Sequence, residues 1–489
     1  MYFEQFYLTC LAHASYMIGS EGQAVVVDPR RDVDIYLKAA DEQGLMIAHI
    51  FETHLHADFV SGHKELATRT GAKIYIGAQA EAGFPHVALH DGFEVKIGRL
   101  RVRALETPGH TPESICLVVT DEESLCGDGV EPRLYSPHNT LQPWAVLTGD
   151  TLFIGDVGRP DLSRTHTPQQ LAGLLYDSLH QKLMTLPDTV LVYPAHGAGS
   201  LCGRAMRAEK SSTIGTERLT NYALQIASRD EFIRQLTANL PARPDYFLED
   251  AKINRSGAGP LTDLTPLRAL SPTEVRALLD EGAYVLDVRP GDEFAAGHVP
   301  ASVNIALSGQ FASWAGAILG IHSRPVLVGA GDAQIEEARL RLTRVGIEDL
   351  RGYLAGGVAA WKETGLPLLT TSQISVQELH VKLNRDPGPG GDAAEIDVLD
   401  VRREGEWNAG HIAQAGWRAL DAFPHGLPEI DASRTVAVHC KSGYRSIVAC
   451  SLLERAGFRN IVNVAGGFDA WHAAGLPESS SQLSVVSSH

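Results

Sequence analysis

The chain has 489 residues, of which 44% are hydrophobic and 21% charged, and its formal net charge is −17. A chain of this length exceeds what one hydrophobic core supports, so we expect about three domains. The acidic balance argues against nucleic acid or an anionic membrane surface as the main partner. No apolar run approaches the roughly 18–20 residues that span a bilayer, so we expect no membrane segment.

The cysteines and the N-terminal residues bear on the compartment. None of the six cysteines forms a Cys-x-x-Cys pair, and six in a chain of this length do not make a disulfide framework. No Lys or Arg precedes Arg30, so the charged start of a signal peptide is missing. We therefore expect a cytoplasmic protein. Four cysteines in apolar surroundings are predicted to lie in the core: Cys10, Cys116, Cys126 and Cys450.

The first 250 residues alternate short apolar runs with helix-like stretches, which is typical of an α/β layered domain. The predicted strands include Ala24–Val27, Ala48–Phe51, Lys73–Ile76, Ile115–Val119, Ala145–Leu147 and Val190–Val192. The predicted helices are Val33–Gln43 and Thr167–Leu179, and the second begins with a Thr-Pro pair that favours a helix start. Residues 251–270 contain glycine, proline and turn signals and are predicted to be a linker.

The rest of the chain contains an internal repeat. Asp287-Val288-Arg289 and Gly356-Gly357 with Ala360-Trp361 recur as Asp400-Val401-Arg402 and Gly466-Gly467 with Ala470-Trp471. Each copy opens with a capping box, at Ser271 and at Ser375. We therefore predict two domains of similar fold at residues 271–370 and 374–478. A Pro/Gly loop around Asp386–Asp392 is inserted in the second copy, and the serine-rich tail at 479–489 is expected to be disordered.

Histidine and aspartate residues follow several of the predicted strands in the first half. His54, His56 and Asp58 follow the strand at 48–51, and residues two apart in an extended stretch point the same way. We therefore expect these three side chains to line one cleft. Three later loops add His110, Asp150 and His196. Imidazole and carboxylate groups together suit a first-row transition metal.

This series of loops resembles the metallo-β-lactamase superfamily. The resemblance implies an αββα sandwich with metal ligands on loops at one sheet edge. The dinuclear hydrolases of that family have His-x-His-x-Asp-His, whereas Phe59 stands here at the last position. Because a phenyl ring cannot ligate, the site is better suited to one metal than to two.

A single metal held by His54, His110 and Asp150 would have two histidine ligands, one carboxylate and open positions, as in non-haem iron(II) oxygenases. Together with Gly158-Arg159-Pro160-Asp161, these features resemble persulfide dioxygenases. The resemblance implies one Fe(II) per chain and oxidation of the outer sulfur of a thiol persulfide by O2 to sulfite. The remaining residues His56, Asp58 and His196 would orient ligands, substrate or water, and spacing leaves open whether His56 ligates.

Two further residues near these loops are candidates. Arg159 could pair with a substrate carboxylate, and a surface arginine is the equally weighted alternative. Cys202 lies in a glycine-rich loop after His196, where backbone can approach a ligand closely. It could carry or accept sulfane sulfur near the iron, although a buried structural cysteine is the commoner case.

The second repeat contains a candidate nucleophile, Cys440. It follows the apolar run Val436–Val438 and precedes a predicted helix at Ile447–Ala456. A loop between a strand and a helix N-terminus collects backbone N–H groups, which together with the helix dipole and Arg445 favour a thiolate. Cys440 is therefore a predicted catalytic nucleophile, and the predicted substrate-binding residues of its loop are Lys441, Ser442, Gly443 and Tyr444.

This loop and the duplicated Asp-Val-Arg and Gly-Gly…Ala-Trp blocks resemble rhodanese domains, which implies sulfur transfer through a cysteine persulfide. The first copy lacks the cysteine. Its equivalent loop leaves Gly329 or Ala330 at the nucleophile position and Gln334 or Ile335 at the arginine position, so we expect it to be catalytically silent. The expected fold class is α/β, with a metallo-β-lactamase αββα sandwich in residues 1–250 followed by two rhodanese-like α/β domains.

The leading hypothesis is a sulfide-detoxifying enzyme with two chemistries in one chain, a persulfide dioxygenase and a sulfurtransferase acting through Cys440. The expected partners are a small-molecule persulfide, O2 and sulfite or thiosulfate, and we expect a homo-oligomer. The direction of sulfur flow between the sites stays open. One alternative is a glyoxalase-II-like dinuclear thioester hydrolase with a sulfurtransferase domain; another is a non-enzymatic sulfane-sulfur carrier or sensor.

Overall fold

The computed structural model describes residues 1–122, 142–238, 240, 242–384 and 396–480. It divides into two compact units, the first formed by residues 1–264 and 343–346 and the second by 265–342 and 347–489. Cys126, the predicted Pro/Gly loop at 386–392 and nearly all of the predicted tail lie outside the described residues. Within those residues, every helix is too short or too polar to cross a membrane.

The first unit contains two six-stranded sheets. One has the order β1-β2-β3-β4-β5-β6 and the other the order β12-β11-β10-β9-β8-β7. The first sheet consists of β1 (Tyr2–Leu8), β2 (His13–Ser20), β3 (Gln23–Val27), β4 (Met46–Glu52), β5 (Lys73–Gly77) and β6 (Val87–Leu89). The second consists of β7 (Glu94–Ile97), β8 (Leu100–Glu106), β9 (Ile115–Asp121), β10 (Ala145–Gly149), β11 (Leu191–Pro194) and β12 (Ser212–Thr213).

Helices cover the outer faces of both sheets. They are α1 (Asp34–Glu42), α2 (His63–Thr70), α3 (Pro168–Gln181), α4 (Ile214–Thr220), α5 (Arg229–Thr237) and α6 (Tyr246–Ser256). Val25 and Phe51 of one sheet pack with Leu117 of the other in a central apolar layer. Separate apolar clusters join α1 and α2 to the first sheet and α3 and α5 to the second. The predicted αββα sandwich is thereby confirmed.

The second unit contains two five-stranded parallel sheets with the same topology. Their orders are β13-β17-β16-β14-β15 and β18-β23-β22-β19-β21. The first copy contributes β13 (Ala269–Leu270), β14 (Val285–Asp287), β15 (Val303–Asn304), β16 (Val326–Val328) and β17 (Gly352–Leu354). The second contributes β18 (Ser372–Ile374), β19 (Ile396–Asp400), β20 (His411–Ile412), β21 (Ala415–Trp417), β22 (Thr435–His439), β23 (Ile461–Val464) and β24 (Glu478–Ser479), of which β20 pairs with β24.

The helices of the second unit also follow the repeat. The first copy contains α7 (Pro272–Asp280), α8 (Gly291–Ala296), α9 (Phe311–Leu319), α10 (Asp332–Thr343) and α11 (Gly357–Glu363), and the second contains α12 (Val376–Leu383), α13 (Glu404–Ala409), α14 (Tyr444–Arg455) and α15 (Gly467–Ala473). Both predicted capping boxes are formed, because the side chains of Ser271 and Ser375 accept from the N3 backbone and each N3 glutamate reaches back.

The predicted linker at 251–270 differs from the structure at both ends. Helix α6 continues to Ser256, and its Asn254 is fully buried in the first unit. At the other end, β13 pairs with β17 of the second unit. Turn-forming residues between 256 and 260 therefore end the helix, but the last six residues of the helix lie in the stretch that composition predicted to be a linker.

Candidate metal centre and sulfur-transfer site

Three loops of the first unit bring His54, His110 and Asp150 together. They follow β4, β8 and β10, respectively, and their candidate ligand atoms all lie within 4.8 Å of one another. All three side chains are at most 1% exposed. Among the residues that the structure describes, the His54 Nε2, His110 Nε2 and Asp150 Oδ2 atoms are buried and have no hydrogen-bond partner. Because buried polar atoms normally have a partner, three that face one point fit a bound cation.

In both histidines, the ring nitrogen that does not face the candidate metal position contacts another group of the protein. The His110 Nδ1 atom lies 2.9 Å from the carbonyl oxygen of Arg159, so this nitrogen donates and Nε2 is left to ligate. The His54 Nδ1 atom lies 3.1 Å from the hydroxyl of Thr53, which in turn donates to Asp28. Such contacts fix ring orientation and tautomer before a metal arrives.

The charges of the three groups also suit a cation. Burial lowers the pKa of His54 well below its usual range and lowers that of His110, so both imidazoles are neutral. Burial acts to raise the pKa of Asp150, but the charge and the hydrogen bond of His196 outweigh this effect and hold the pKa well below its usual range. Two neutral imidazoles and one carboxylate are the protonation states that a metal requires.

His196 links two carboxylates behind the centre. Its Nδ1 atom lies 2.8 Å from Asp150 Oδ1 and its Nε2 atom 2.9 Å from Asp58 Oδ2. Although burial lowers the pKa of His196, the two carboxylates raise it well above its usual range, so the imidazolium donates to Asp150 and forms an ion pair with Asp58. Asp58 and His196 are therefore connected to the centre through Asp150, and their orienting role stays a prediction.

His56 and Asp58, which follow His54 in the same loop, have partners of their own. The His56 ring lies 4.1 Å from that of His54, centroid to centroid, and its Nε2 atom lies 3.1 Å from Asp28 and 3.8 Å from Glu52. Asp58 instead groups with His196 and Cys202. Because β4 ends at Glu52 and the following residues form bends, the two-residue alternation of an extended strand does not continue through this loop. That His54, His56 and Asp58 line one cleft stays a prediction.

Phe59 is fully buried among aromatic rings. Its ring centroid lies 4.0 Å from that of His13 and 4.4 Å from that of His56. It packs tightly where the dinuclear hydrolases have a ligand, and it contributes only apolar surface.

Cys202 and Arg159 are joined by a backbone hydrogen bond. The N–H of Arg159 donates to the carbonyl of Cys202. The guanidinium forms a two-pronged ion pair with Asp161, with distances of 2.6 and 2.8 Å, and it also donates to the carbonyl of Leu201. Arg159 is thus held by groups of this chain, and its contact with a substrate carboxylate stays a prediction. Burial, with Asp58 and Asp150 nearby, raises the pKa of the Cys202 thiol well above its usual range, which disfavours the thiolate.

Asn254 is a residue of this centre that sequence reasoning missed. Its amide donates to the carbonyls of His56 and Phe59, each at 2.7 Å, and its carbonyl accepts from the N–H of Ser61 at 2.8 Å. One side chain on α6 thus satisfies three backbone groups of the loop that follows β4. The sequence gives no local signal for it, because Asn254 lies nearly 200 positions from these partners.

Cys440 lies at the C-terminal end of β22, just before α14 begins. The backbone N–H of Gly443 donates to its sulfur at 3.1 Å, and the sulfur lies 3.7 Å from the Ser446 hydroxyl. The thiol is 1% exposed, and a helix N-terminus faces it. Gly443 has a φ of 113°, which favours glycine at this turn. The predicted strand–loop–helix arrangement is present.

Arg445 has a partner that the sequence did not indicate. Both of its terminal nitrogens bind the carboxylate of Glu406 on α13, at 2.6 and 2.7 Å. Burial raises the pKa of Glu406, but the hydrogen bond and charge of Arg445 outweigh this effect and lower it. The guanidinium is therefore neutralised locally as well as positioned near the cysteine loop. Among the other loop residues, Ser442, Gly443 and Tyr444 line a cavity, and Lys441 is exposed.

The structure settles the one-residue ambiguity in the silent copy. Val401 donates to the carbonyl of His439, the residue before Cys440, and the equivalent Val288 donates to Val328. A Cβ atom on Gly467 would lie 2.4 Å from the Cys440 carbonyl, and one on Gly357 would lie 2.8 Å from that of Gly329. Gly329 therefore stands at the position of Cys440, and by the same register Gln334 stands at that of Arg445.

Family models agree with the two kinds of fold. A model described as "Metallo-beta-lactamase superfamily" matches residues 8–125, and one described as "Rhodanese-like domain" matches residues 271–364 and 389–474. The chain belongs to the metallo-β-lactamase superfamily and carries two rhodanese-like domains in tandem after that fold.

The relatives of the first unit include a dioxygenase and a hydrolase. "Persulfide dioxygenase ETHE1, mitochondrial" of Mus musculus is 30% identical over 240 residues, which cover 46% of this chain and 77% of the mouse protein. "Hydroxyacylglutathione hydrolase" of Francisella tularensis subsp. novicida is 27% identical over 256 residues, covering 49% of this chain and 90% of that protein. The crystal structure of a metallo-beta-lactamase from Staphylococcus aureus is 31% identical with a TM-score of 0.62, and it covers 72% of this chain and 98% of that one.

Proposed function

We propose that the protein is a non-haem iron persulfide dioxygenase joined to a sulfurtransferase. The first unit would oxidise the outer sulfur of a low-molecular-weight thiol persulfide to sulfite, and Cys440 in the second unit would transfer sulfane sulfur. The overall dioxygenase reaction is RSSH + O2 + H2O → RSH + H2SO3. Relatives that include a persulfide dioxygenase support this reaction class.

The observation that carries the proposal is the convergence of three unpartnered buried atoms, on His54, His110 and Asp150. Two imidazoles and one carboxylate leave open coordination positions, and this ligand set is the one used by non-haem iron(II) oxygenases. When bound there, iron would supply the redox chemistry that dioxygen requires and that zinc lacks. Phe59 provides an apolar wall where a ligand for a second metal would otherwise stand.

A cleft of about 200 Å³ next to the ligand loops fits the organic part of the substrate. Leu55 and Thr111, the neighbours of His54 and His110 in the chain, line it together with Arg164, Lys252 and Arg255. These cations would attract an anionic thiol persulfide. Substrate carboxylates would thus bind in this cleft. The sequence had instead suggested Arg159 as their partner.

At Cys440, the thiolate would attack the outer sulfur of a persulfide. The new S–S bond forms as the original one breaks, and the thiol leaves with the proton. The cysteine persulfide would then pass its outer sulfur to sulfite, which releases the cysteine and gives thiosulfate. The Gly443 N–H and the N-terminus of α14 stabilise the thiolate in each half-reaction. The reverse flow, from thiosulfate through Cys440 to the iron centre, uses the same bonds.

The test is metal analysis and oxygen uptake on the full chain. We expect about one iron per chain, held by His54, His110 and Asp150, and oxygen uptake with sulfite production from a panel of persulfides. Asp150→Asn should lose iron and oxygen uptake while keeping sulfur transfer. Two bound metals with thioester cleavage independent of oxygen would instead support the hydrolase suggested by the Francisella relative. An Asp150→Asn protein with unchanged sulfur metabolism would support a non-enzymatic carrier.

Cys202 can be tested in the same assays. Its sulfur belongs to a buried group with Asp58 and His196. If it carries sulfane sulfur, Cys202→Ser should reduce turnover with iron content unchanged, and mass spectrometry of the parent should detect a persulfide on Cys202. Equal turnover in both proteins would leave Cys202 a structural residue.

A further inference from the structure

The silent rhodanese copy forms part of the surroundings of Cys440. A cavity of about 370 Å³ opens beside the cysteine loop, and Ser442, Gly443 and Tyr444 line one side of it. The opposite side comes from the first copy and includes Asp292 and Ser308. A cavity of this size lies in the range of organic small-molecule sites and exceeds what a few-atom anion such as thiosulfate fills.

The two walls of this cavity are joined by specific contacts. The Tyr444 hydroxyl donates to the carbonyl of Ala306 at 2.8 Å, two residues before Ser308. The face of α14 that follows the cysteine loop also docks on the first copy. His298 lies 2.8 Å from Glu454, and the Ser451 hydroxyl accepts from the N–H of Asn304. Both pairs are buried or nearly so, and they fix the first copy in position beside the cavity.

The charges of the cavity favour an organic donor over a small dianion. Arg445, the cation expected to attract an anion, is already paired with Glu406. The first copy adds the exposed carboxylate of Asp292 at the start of α8. A carboxylate in a binding wall is complementary to an ammonium group and repels an anion.

We propose that the silent copy selects the sulfur donor, and that the cavity holds the organic part of an amino-bearing thiol persulfide with its ammonium group at Asp292. This inference rests on the proposed sulfur transfer at Cys440 and names its substrate class. The Cys440 thiolate attacks the outer sulfur of that persulfide and the S–S bond of the donor breaks. The amino thiol leaves with the proton that the outer sulfur carried. No net oxidation occurs, because one S–S bond replaces another.

The test uses two variants in the silent copy and measures sulfur transfer to cyanide by the full chain. The donors are cysteine persulfide, 3-mercaptopropionate persulfide (which lacks the amino group) and thiosulfate. Ser308→Trp fills the cavity and should lower kcat/KM for both organic persulfides at least about tenfold, while thiosulfate changes less than about twofold. Asp292→Asn should raise KM for cysteine persulfide about three- to fivefold, as expected for a partly exposed ion pair, with no rise for 3-mercaptopropionate persulfide.

Glu293→Gln is the matched control, because Glu293 is an exposed carboxylate on the same helix that does not line the cavity. It should leave all three donors unchanged. Equal effects of Ser308→Trp on all donors, or none on any, would overturn the inference while leaving sulfur transfer at Cys440 intact. If Cys440→Ser retains full transfer, the proposed function of this domain fails instead.

Discussion

His63 is a buried histidine that is held neutral, and this has a consequence for stability. Burial lowers its pKa from 6.5 to about 3. Glu52 lies 3.6 Å away but does not reverse the shift, because burial also raises the pKa of Glu52 well above its usual range. The unfolded chain therefore binds a proton at His63 more tightly than the folded chain does. Stability is complete above pH 6.5 and falls as the pH drops from there toward 3.

We expect His63→Leu to remove this pH-dependent loss. Between pH 7.5 and 5.5 the parent should lose about 1.4 kcal/mol of unfolding free energy relative to the variant, since one pKa unit corresponds to about 1.4 kcal/mol. Urea unfolding of both proteins at the two pH values measures the difference, and the packing cost of the substitution cancels in it. If the unfolding free energies of the parent and the variant change equally with pH, the pKa of His63 is not lowered in the folded state.

At the scale of single elements, helix α6 holds the loop that carries His54. Asn254→Leu would leave two buried carbonyls and one N–H of that loop without a partner. We expect a loss of at least about 3 kcal/mol of unfolding free energy, since three groups lose their partner and each buried unsatisfied group costs about 1–3 kcal/mol. Metal affinity should fall as well, because the loop loses its fixed conformation.

Denaturant unfolding and metal titration measure these effects of Asn254→Leu. Ser256→Ala is the control on the same helix, because its hydroxyl bonds only to the carbonyl of Lys252 one turn earlier. It should change stability by less than about 0.5 kcal/mol. If both variants behave alike, α6 does not support the loop.

The glycine pair Gly466-Gly467 at the start of α15 allows the backbone to approach the cysteine loop closely. Gly467 has a φ of 57°, and a Cβ atom there would lie 2.4 Å from the carbonyl of Cys440. Gly467→Ala should therefore shift the cysteine loop, cost at least about 2 kcal/mol, and lower sulfur transfer at least about tenfold. Cyanide-dependent sulfur transfer and thermal unfolding measure the two effects.

The repeat supplies the matched control, Gly357→Ala. Gly357 has a φ of 58° and approaches Gly329 in the same way. This variant should be destabilised to a similar extent while sulfur transfer stays close to that of the parent. Equal loss of transfer in both variants would mean that general destabilisation, and not the position of Cys440, explains the effect.

At the scale of the whole molecule, the two chemistries belong to different compact units. The candidate metal ligands lie in the first unit and Cys440 in the second. Removal of metal by a chelator should therefore abolish oxygen uptake and leave sulfur transfer from persulfide to cyanide nearly unchanged. Re-addition of Fe(II) should restore oxygen uptake. Loss of both activities on chelation would show that the second unit depends on the metal.

The Cys440→Ser chain reports on the direction of flow between the two chemistries. If sulfur passes from persulfide through Cys440 to sulfite, the variant should keep oxygen uptake and accumulate sulfite in place of thiosulfate. Product analysis during oxygen consumption measures the ratio. An unchanged ratio would remove Cys440 from the pathway that starts at the metal centre.

Features that depend on near neighbours in the chain could be predicted from the amino-acid sequence. Both capping boxes and the strand–loop–helix around Cys440 follow from short stretches of residues. His54, His110 and Asp150 could be predicted as neighbours in space, because each follows a buried strand and resembles a known loop motif. The repeat was visible because both copies retain the same blocks of residues.

The partners of those residues became known from the three-dimensional fold. It turned His56 toward Asp28, paired Arg445 with Glu406, placed Asn254 against the loop after β4, and set Asp292 beside the cysteine loop. Each of these contacts joins positions far apart in sequence, and no local pattern of side chains encodes the distance between them. They arise when sheets and helices pack, since packing and the pairing of buried polar groups select among many arrangements that the local signals allow.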